Sequence, residues 1–112
     1  MLNEIPVTAS SEGDKTVLEV GADNMDFRSA EILKGILMEY VGQGHHHLVL
    51  NLSHVKFMDS SGLSVLLFGK RITEEVGGDF GICGLYGYVS NLIGSTNLNQ
   101  TIKVYTNGLN ED

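Results

Sequence analysis

The feature that most constrains this chain is an exchange of periods along its length. From residue 26 onward, stretches with apolar residues at helical spacing trade places with short apolar runs. Ala30, Leu33, Leu37 and Val41 recur at three and four residues, the mark of an amphipathic helix capped by Asp26 and ending near Gly42 and Gly44. Leu48, Leu50 and Leu52 alternate to one face of the next segment and Val49 serves the other, as expected of a central strand. A second helical stretch runs from Ser61 to about Val76 and closes at Gly77 and Gly78, which can supply the positive φ of a helix end. Phe80 to Leu85 reads as a buried strand, about Tyr88 to Ile93 as a short helix, and Ile102 to Tyr105 as a last strand. Upstream, Ile5 and Val7, then Thr16 to Val20, flank a polar cluster containing Gly13, which suits a hairpin. Strands that alternate with helices predict an α/β domain: a mostly parallel sheet with right-handed crossovers, opened by an N-terminal hairpin strand.

One domain over residues 1–112 is enough to hold these elements, and 107–112 is expected to be a loose acidic tail. With 42% hydrophobic and 19% charged residues the chain should be globular and not disordered. Its net charge of -7, from 14 acidic and 7 basic residues, opposes binding to nucleic acid or to an anionic membrane. No apolar stretch approaches the roughly 20 residues of a membrane span, and no basic start marks a signal peptide, so a cytoplasmic protein is expected. Cys83, the one cysteine, sits in an apolar run and is expected to be a buried, inert thiol.

The candidate site is the hexapeptide Met58, Asp59, Ser60, Ser61, Gly62, Leu63, which joins a strand pattern to a helical one. Asp and Ser are favoured helix N-caps, because their side-chain oxygens accept from the first free backbone N–H groups. A helix start also suits an anion, so a phosphoryl group on an exposed serine would meet a compatible site. In the helix that follows, Val65, Phe68, Ile72 and Val76 gather on one side with Gly69 and are expected to face the sheet. Leu63 and Leu67 point the opposite way with Lys70 and Glu74, and Leu66 lies at the border. Two leucines turned from the core suggest a contact surface for a partner.

The string from Val55 to Leu63, with Met25 to Ala30 and the strand Leu48 to Leu52, resembles the bacterial anti-sigma-factor antagonists, small proteins of the STAS fold. In that family the serine directly after the aspartate is phosphorylated, which here implies Ser60. Asp59, Ser61 and Gly62 would support the switch loop, and Met58, Leu63, Leu67, Lys70 and Asp26 would bind the partner. The resemblance implies an anti-sigma factor that is also a serine kinase, with an ATP-binding, histidine-kinase-like ATPase fold. The unphosphorylated antagonist binds it and frees the sigma factor, phosphorylation releases the antagonist, and a serine phosphatase resets the cycle. ATP and magnesium belong to the kinase, so this chain is expected to need no cofactor and to be a monomer or weak dimer. It departs from the family pattern in a longer loop, Gly21 to Asp26, and in a segment Leu85 to Tyr88 rich in aromatic residues and glycine.

An enzyme reading would make Ser60 a nucleophile served by His45, His46, His47 or His54. The chain lacks a Gly-x-Ser-x-Gly elbow, and three adjacent histidines at a strand entrance alternate sides, so no catalytic residue and no metal site is expected. No Gly-x-x-x-x-Gly-Lys phosphate loop is present either. The alternative that keeps the fold is an unphosphorylated STAS scaffold in a sensory or lipid-transport assembly.

Overall fold

A computed structural model describes residues 5–106; the expected acidic tail lies outside the described residues. The chain opens with a hairpin, β1 (Val7–Glu12) and β2 (Lys15–Val20), turned by Gly13 at φ 64 and Asp14. Glu12 faces Lys15 across this two-residue turn, the setting in which a positive φ is needed and glycine supplies it. A two-residue strand β3 (Asn24–Met25) leads into helix α1 (Phe27–Gly42), and β4 (His47–Asn51) follows. A second two-residue strand, β5 (Phe57–Met58), leads into α2 (Ser60–Glu75). Strand β6 (Asp79–Cys83), helix α3 (Gly87–Ser95), a 3-10 turn at Leu98–Gln100 and strand β7 (Lys103–Tyr105) complete the domain.

The main sheet has the order β1-β2-β4-β6-β7, with β1 antiparallel and the other pairs parallel. From β2 onward the strands are added in one direction only. Right-handed crossovers then place every connecting helix on the same face of the sheet. Leu18, Leu48, Leu50 and Ile82 point to that face and form the main core with Leu33 and Leu37 of α1 and Val65 and Leu66 of α2. Among the described residues the opposite face carries a small cluster, Val17, Val49 and Tyr105, with Cys83 against it. The expected central strand is therefore β4, and its leucines and Val49 divide between the two faces as the alternation required.

Two expectations about packing are corrected. In α2 the buried residues are Gly62, Val65, Leu66, Gly69 and Thr73, while Val76 is exposed and Phe68 and Ile72 are only half-buried. The helix is rotated toward its smallest residues because they let it approach the sheet: a Cβ at Gly69 would lie 2.6 Å from Cζ of Phe80. Thr73 can be buried because its hydroxyl donates to the carbonyl of Gly69 at 2.8 Å. Cys83 is half-buried, since no described helix lies over the face it occupies. Burial, and then the charge of Glu12, nonetheless hold its thiol above the ordinary value of 9.0.

Candidate functional site

In a parallel sheet the loops that follow the strands and precede the helices share one edge, and here they bring residues 21–26, 52–59 and 84–86 together. The central device is the pairing of β3 with β5, in register Met25 to Met58. Both methionines are fully buried, and each is followed by an aspartate that starts a helix. Asp26 and Asp59 have almost the same backbone, φ -117 and ψ -168 against φ -114 and ψ -166, so α1 and α2 begin side by side. Two residues of parallel pairing across a wide gap in sequence have no local signature, and the sequence reading missed them.

Asp59 is the N-cap of α2. Its Oδ1 accepts from the backbone N–H of Ser61 at 2.9 Å and of Gly62 at 3.3 Å, while its own N–H donates to the carbonyl of Met25 at 3.3 Å. Gly62 lies against β3: a Cβ there would stand 2.6 Å from the carbonyl oxygen of Met25 and would also strike the side chain of Met58. Glycine is thus required by a close backbone approach, not by its φ. The expected anion site changes in consequence. The N–H groups of Ser61 and Gly62 are already taken by the Asp59 carboxylate, so a phosphoryl group on Ser60 would sit beside that charge instead of filling the helix end.

Ser60 is the first residue of α2 and is exposed, one residue earlier than the expected helix start. Among the described residues its hydroxyl has no hydrogen-bond partner, histidines included. Ser61 is half-buried, and its carbonyl accepts from the hydroxyl of Ser64 at 2.6 Å. The two serines are therefore distinguished by exposure.

The other predicted contact residues divide. Leu67 is 47% exposed on the outer side of α2, Leu63 is half-buried against the main core, and Lys70 pairs with Glu74 at 2.7 Å. Asp26 is half-buried and occupied as a cap: its Oδ1 accepts from the N–H groups of Arg28 and Ser29, and the Ser29 hydroxyl accepts from its N–H at 2.9 Å. Met58 is corrected outright. Alternation along β5 turns it inward to zero exposure and turns Phe57 outward, so the exposed side chain at this point is Phe57. Phe27, the first residue of α1, is 71% exposed at the same edge, and Tyr86 and Tyr88 at the start of α3 are exposed as well. The period of two across Phe57 and Met58 was the signal that could have exchanged these roles.

The histidines serve separate partners. His45 shares a hydrogen bond with the hydroxyl of Thr16, His47 meets Asp79 at 2.9 Å across the β4 and β6 pair, and His54 meets Glu19 at 2.7 Å. Among the described residues no three His, Cys, Asp or Glu side chains are grouped to hold a metal ion. Nor is any described helix long and apolar enough to cross a membrane.

This five-stranded mixed sheet with its helices on one face is a known fold. Residues 6–108 match the model of the STAS domain, and the chain belongs to that family. It is 34% identical over 64 residues to the anti-sigma F factor antagonist of Paenibacillus polymyxa, covering 57% of this chain and 55% of that protein. The match thus spans little more than half the length of that relative. An anti-sigma factor antagonist from Mycobacterium paratuberculosis has a similar structure, with a TM-score of 0.76 and 25% identity over 91% of this chain and 86% of that one. The Bacillus cell fate determinant SpoIIAA in its phosphorylated form shares the fold, at a TM-score of 0.66 and 18% identity over 91% of this chain and 93% of that one.

Proposed function

We propose that this protein is an anti-sigma factor antagonist switched at Ser60. Unphosphorylated, it binds an anti-sigma factor that is also a serine kinase and so releases the sigma factor; phosphorylated, it lets go, and a serine phosphatase restores it. The observation that carries this reading is the exposed hydroxyl of Ser60, bonded to nothing among the described residues and held at the start of a helix that Asp59 has already capped. A phosphoacceptor must reach another protein's active site. A hydroxyl spent on capping would first have to give up its bonds to the helix end, at a cost of about 1 kcal/mol.

The contact surface in this reading is the outer side of α2, with Leu67 and Lys70, and the edge beside it, with Leu63, Asp26 and Asp59. Phosphorylation adds about -1.5 to -2 charges at its margin. A like charge at about 5 Å and an effective dielectric near 20 costs roughly 3 kcal/mol. That is on the order of a hundredfold in affinity, enough to end the association without a change of fold. The charge that weakens association is a carboxylate of the partner, because repulsion between the phosphoryl group and Asp59 is present in the free protein as well.

The test is to incubate the protein with its cognate anti-sigma factor kinase and Mg-ATP and map the label by mass spectrometry. Label on Ser60 is expected, together with tight binding of Ser60→Ala and weak binding of Ser60→Asp. Label on Ser61 alone would overturn the assignment. No label on any residue would favour a constitutive scaffold.

A further inference from the structure

Beside the backbone bonds of Lys56 and Phe57 to the carbonyl of Asp23, three restraints hold the strand that presents Ser60. The β3 ladder and the close seat of Gly62 on Met25 belong to the buried interior. The third does not: Phe57 stacks on Tyr88 of α3, with ring centroids 5.1 Å apart and planes 18° from parallel. Both rings are outside the core, at 42% and 52% exposure, while their chain neighbours Met58 and Val89 are fully buried. The core is therefore closed beneath the stack without its help. At this end α3 is held by Val89 in the core and by the stack, since its N-cap residue Tyr86 makes no side-chain capping bond and Gly87 opens the helix at φ 55. The aromatic segment from Leu85 to Tyr88 thus has a structural counterpart three residues before Ser60.

We infer that Tyr88 is a positioning residue for the switch: by stacking on Phe57 it fixes β5, and with it the Asp59 cap and the Ser60 hydroxyl, in the geometry a kinase meets. This rests on the reading of Ser60 as the phosphoacceptor, but the stack itself can be tested without a kinase. A stacked pair shifts a local opening equilibrium by a factor of about 2 to 12. The amides of Ser61 and Gly62, bonded to Asp59, report such opening directly.

Amide hydrogen exchange should be measured on the wild type, Tyr88→Ala, Tyr88→Phe, Phe57→Ala and the double alanine variant. Tyr88→Ala is expected to speed exchange at Ser61 and Gly62 by about 2- to 12-fold, with the amides of Leu50 and Ile82 unchanged. Tyr88→Phe should behave as wild type, since it keeps the ring. The double variant should be no faster than either single one, as expected of partners in one contact. Unchanged exchange at Ser61 and Gly62, equal acceleration in β4 and β6, or additive effects in the double variant would each overturn the inference. If the exchange results hold and Ser60 takes no label from a kinase, the stack stands and the phosphorylation reading fails.

Discussion

Gly62 is the tightest point of the switch loop, because there the first turn of α2 is pressed onto the backbone of β3. Gly62→Ala should destabilise the domain by about 1–3 kcal/mol through overpacking, although alanine is the better helix former; a lower urea midpoint at constant m-value would show it. Asp59→Ala should cost about 1 kcal/mol, and Asp59→Asn much less, since an amide oxygen can still accept from Ser61 and Gly62. If Asp59→Asn folds normally yet alters phosphorylation of Ser60, the charge of Asp59 has a role beyond capping. Cys83 gives a pH dependence with a definite sign. Its thiol is held above the ordinary 9.0 by burial and by Glu12, so the folded state keeps its proton longer than the unfolded state does. Stability linked to Cys83 is then complete below about pH 9 and declines as the pH rises past it. Thermal melts of wild type and Cys83→Ala between pH 7 and 10 should diverge only at the alkaline end.

Helix α2 has both of its faces in use, and substitutions should separate them. Leu66→Ala should cost about 2–5 kcal/mol, as for other fully buried leucines. Leu67→Glu, on an exposed position, should change stability by no more than about 0.5 kcal/mol while weakening partner binding; a large fall in melting temperature would assign Leu67 to the core. The order of the elements was legible because their periods are strong: the hairpin, both long helices, the central strand and the short third helix all form close to where periodicity put them. The rotation of α2 was not legible, because hydrophobicity weighs Phe68, Ile72 and Val76 above Gly69 and Thr73, whereas helix-to-sheet distance favours the small residues. Phe68 is instead drawn to the seam between helices, where Lys34 of α1 and Arg71 of α2 lie over its ring at 5.8 and 5.2 Å. The pairing of β3 with β5 escaped for a different reason. It is tertiary, and two residues cannot show a period. Since that pairing decides which side chain of the switch strand faces out, what cap chemistry made legible in the sequence was Asp59 as the N-cap, whereas the close seat of Gly62 on β3 was not legible.

At the scale of the molecule, one-way strand addition leaves the two faces of the sheet unequal. The helical face holds the large core, whereas among the described residues the opposite face is covered chiefly by one ring. Tyr105, at the end of β7 and 6% exposed, lies across Gly81, where a Cβ would come within 2.6 Å of its Cε2. The ring is flanked by the ammonium groups of Lys15 and Lys103 at 5.8 and 5.7 Å, and it packs with Val17 and Val49, which are 7% and 1% exposed on a face that no described helix covers. The absence of a side chain at Gly81 is what admits it. Tyr105→Ala should therefore cost more than its place on the outermost strand suggests, about 3 kcal/mol, comparable to removing an aromatic ring from a core. Two measurements check this together. Urea unfolding should show the loss of stability, and the folded variant should bind more of an apolar dye, because Val17 and Val49 become an exposed patch beside the half-buried thiol of Cys83. Cys83 should also react faster with a thiol reagent at fixed pH. A loss below about 1 kcal/mol with unchanged thiol reactivity would mean that the bare face is held by its strands alone. Since Ser60 sits at the edge next to the opposite, helical face, Tyr105→Ala should leave its phosphorylation unaltered wherever the variant is folded.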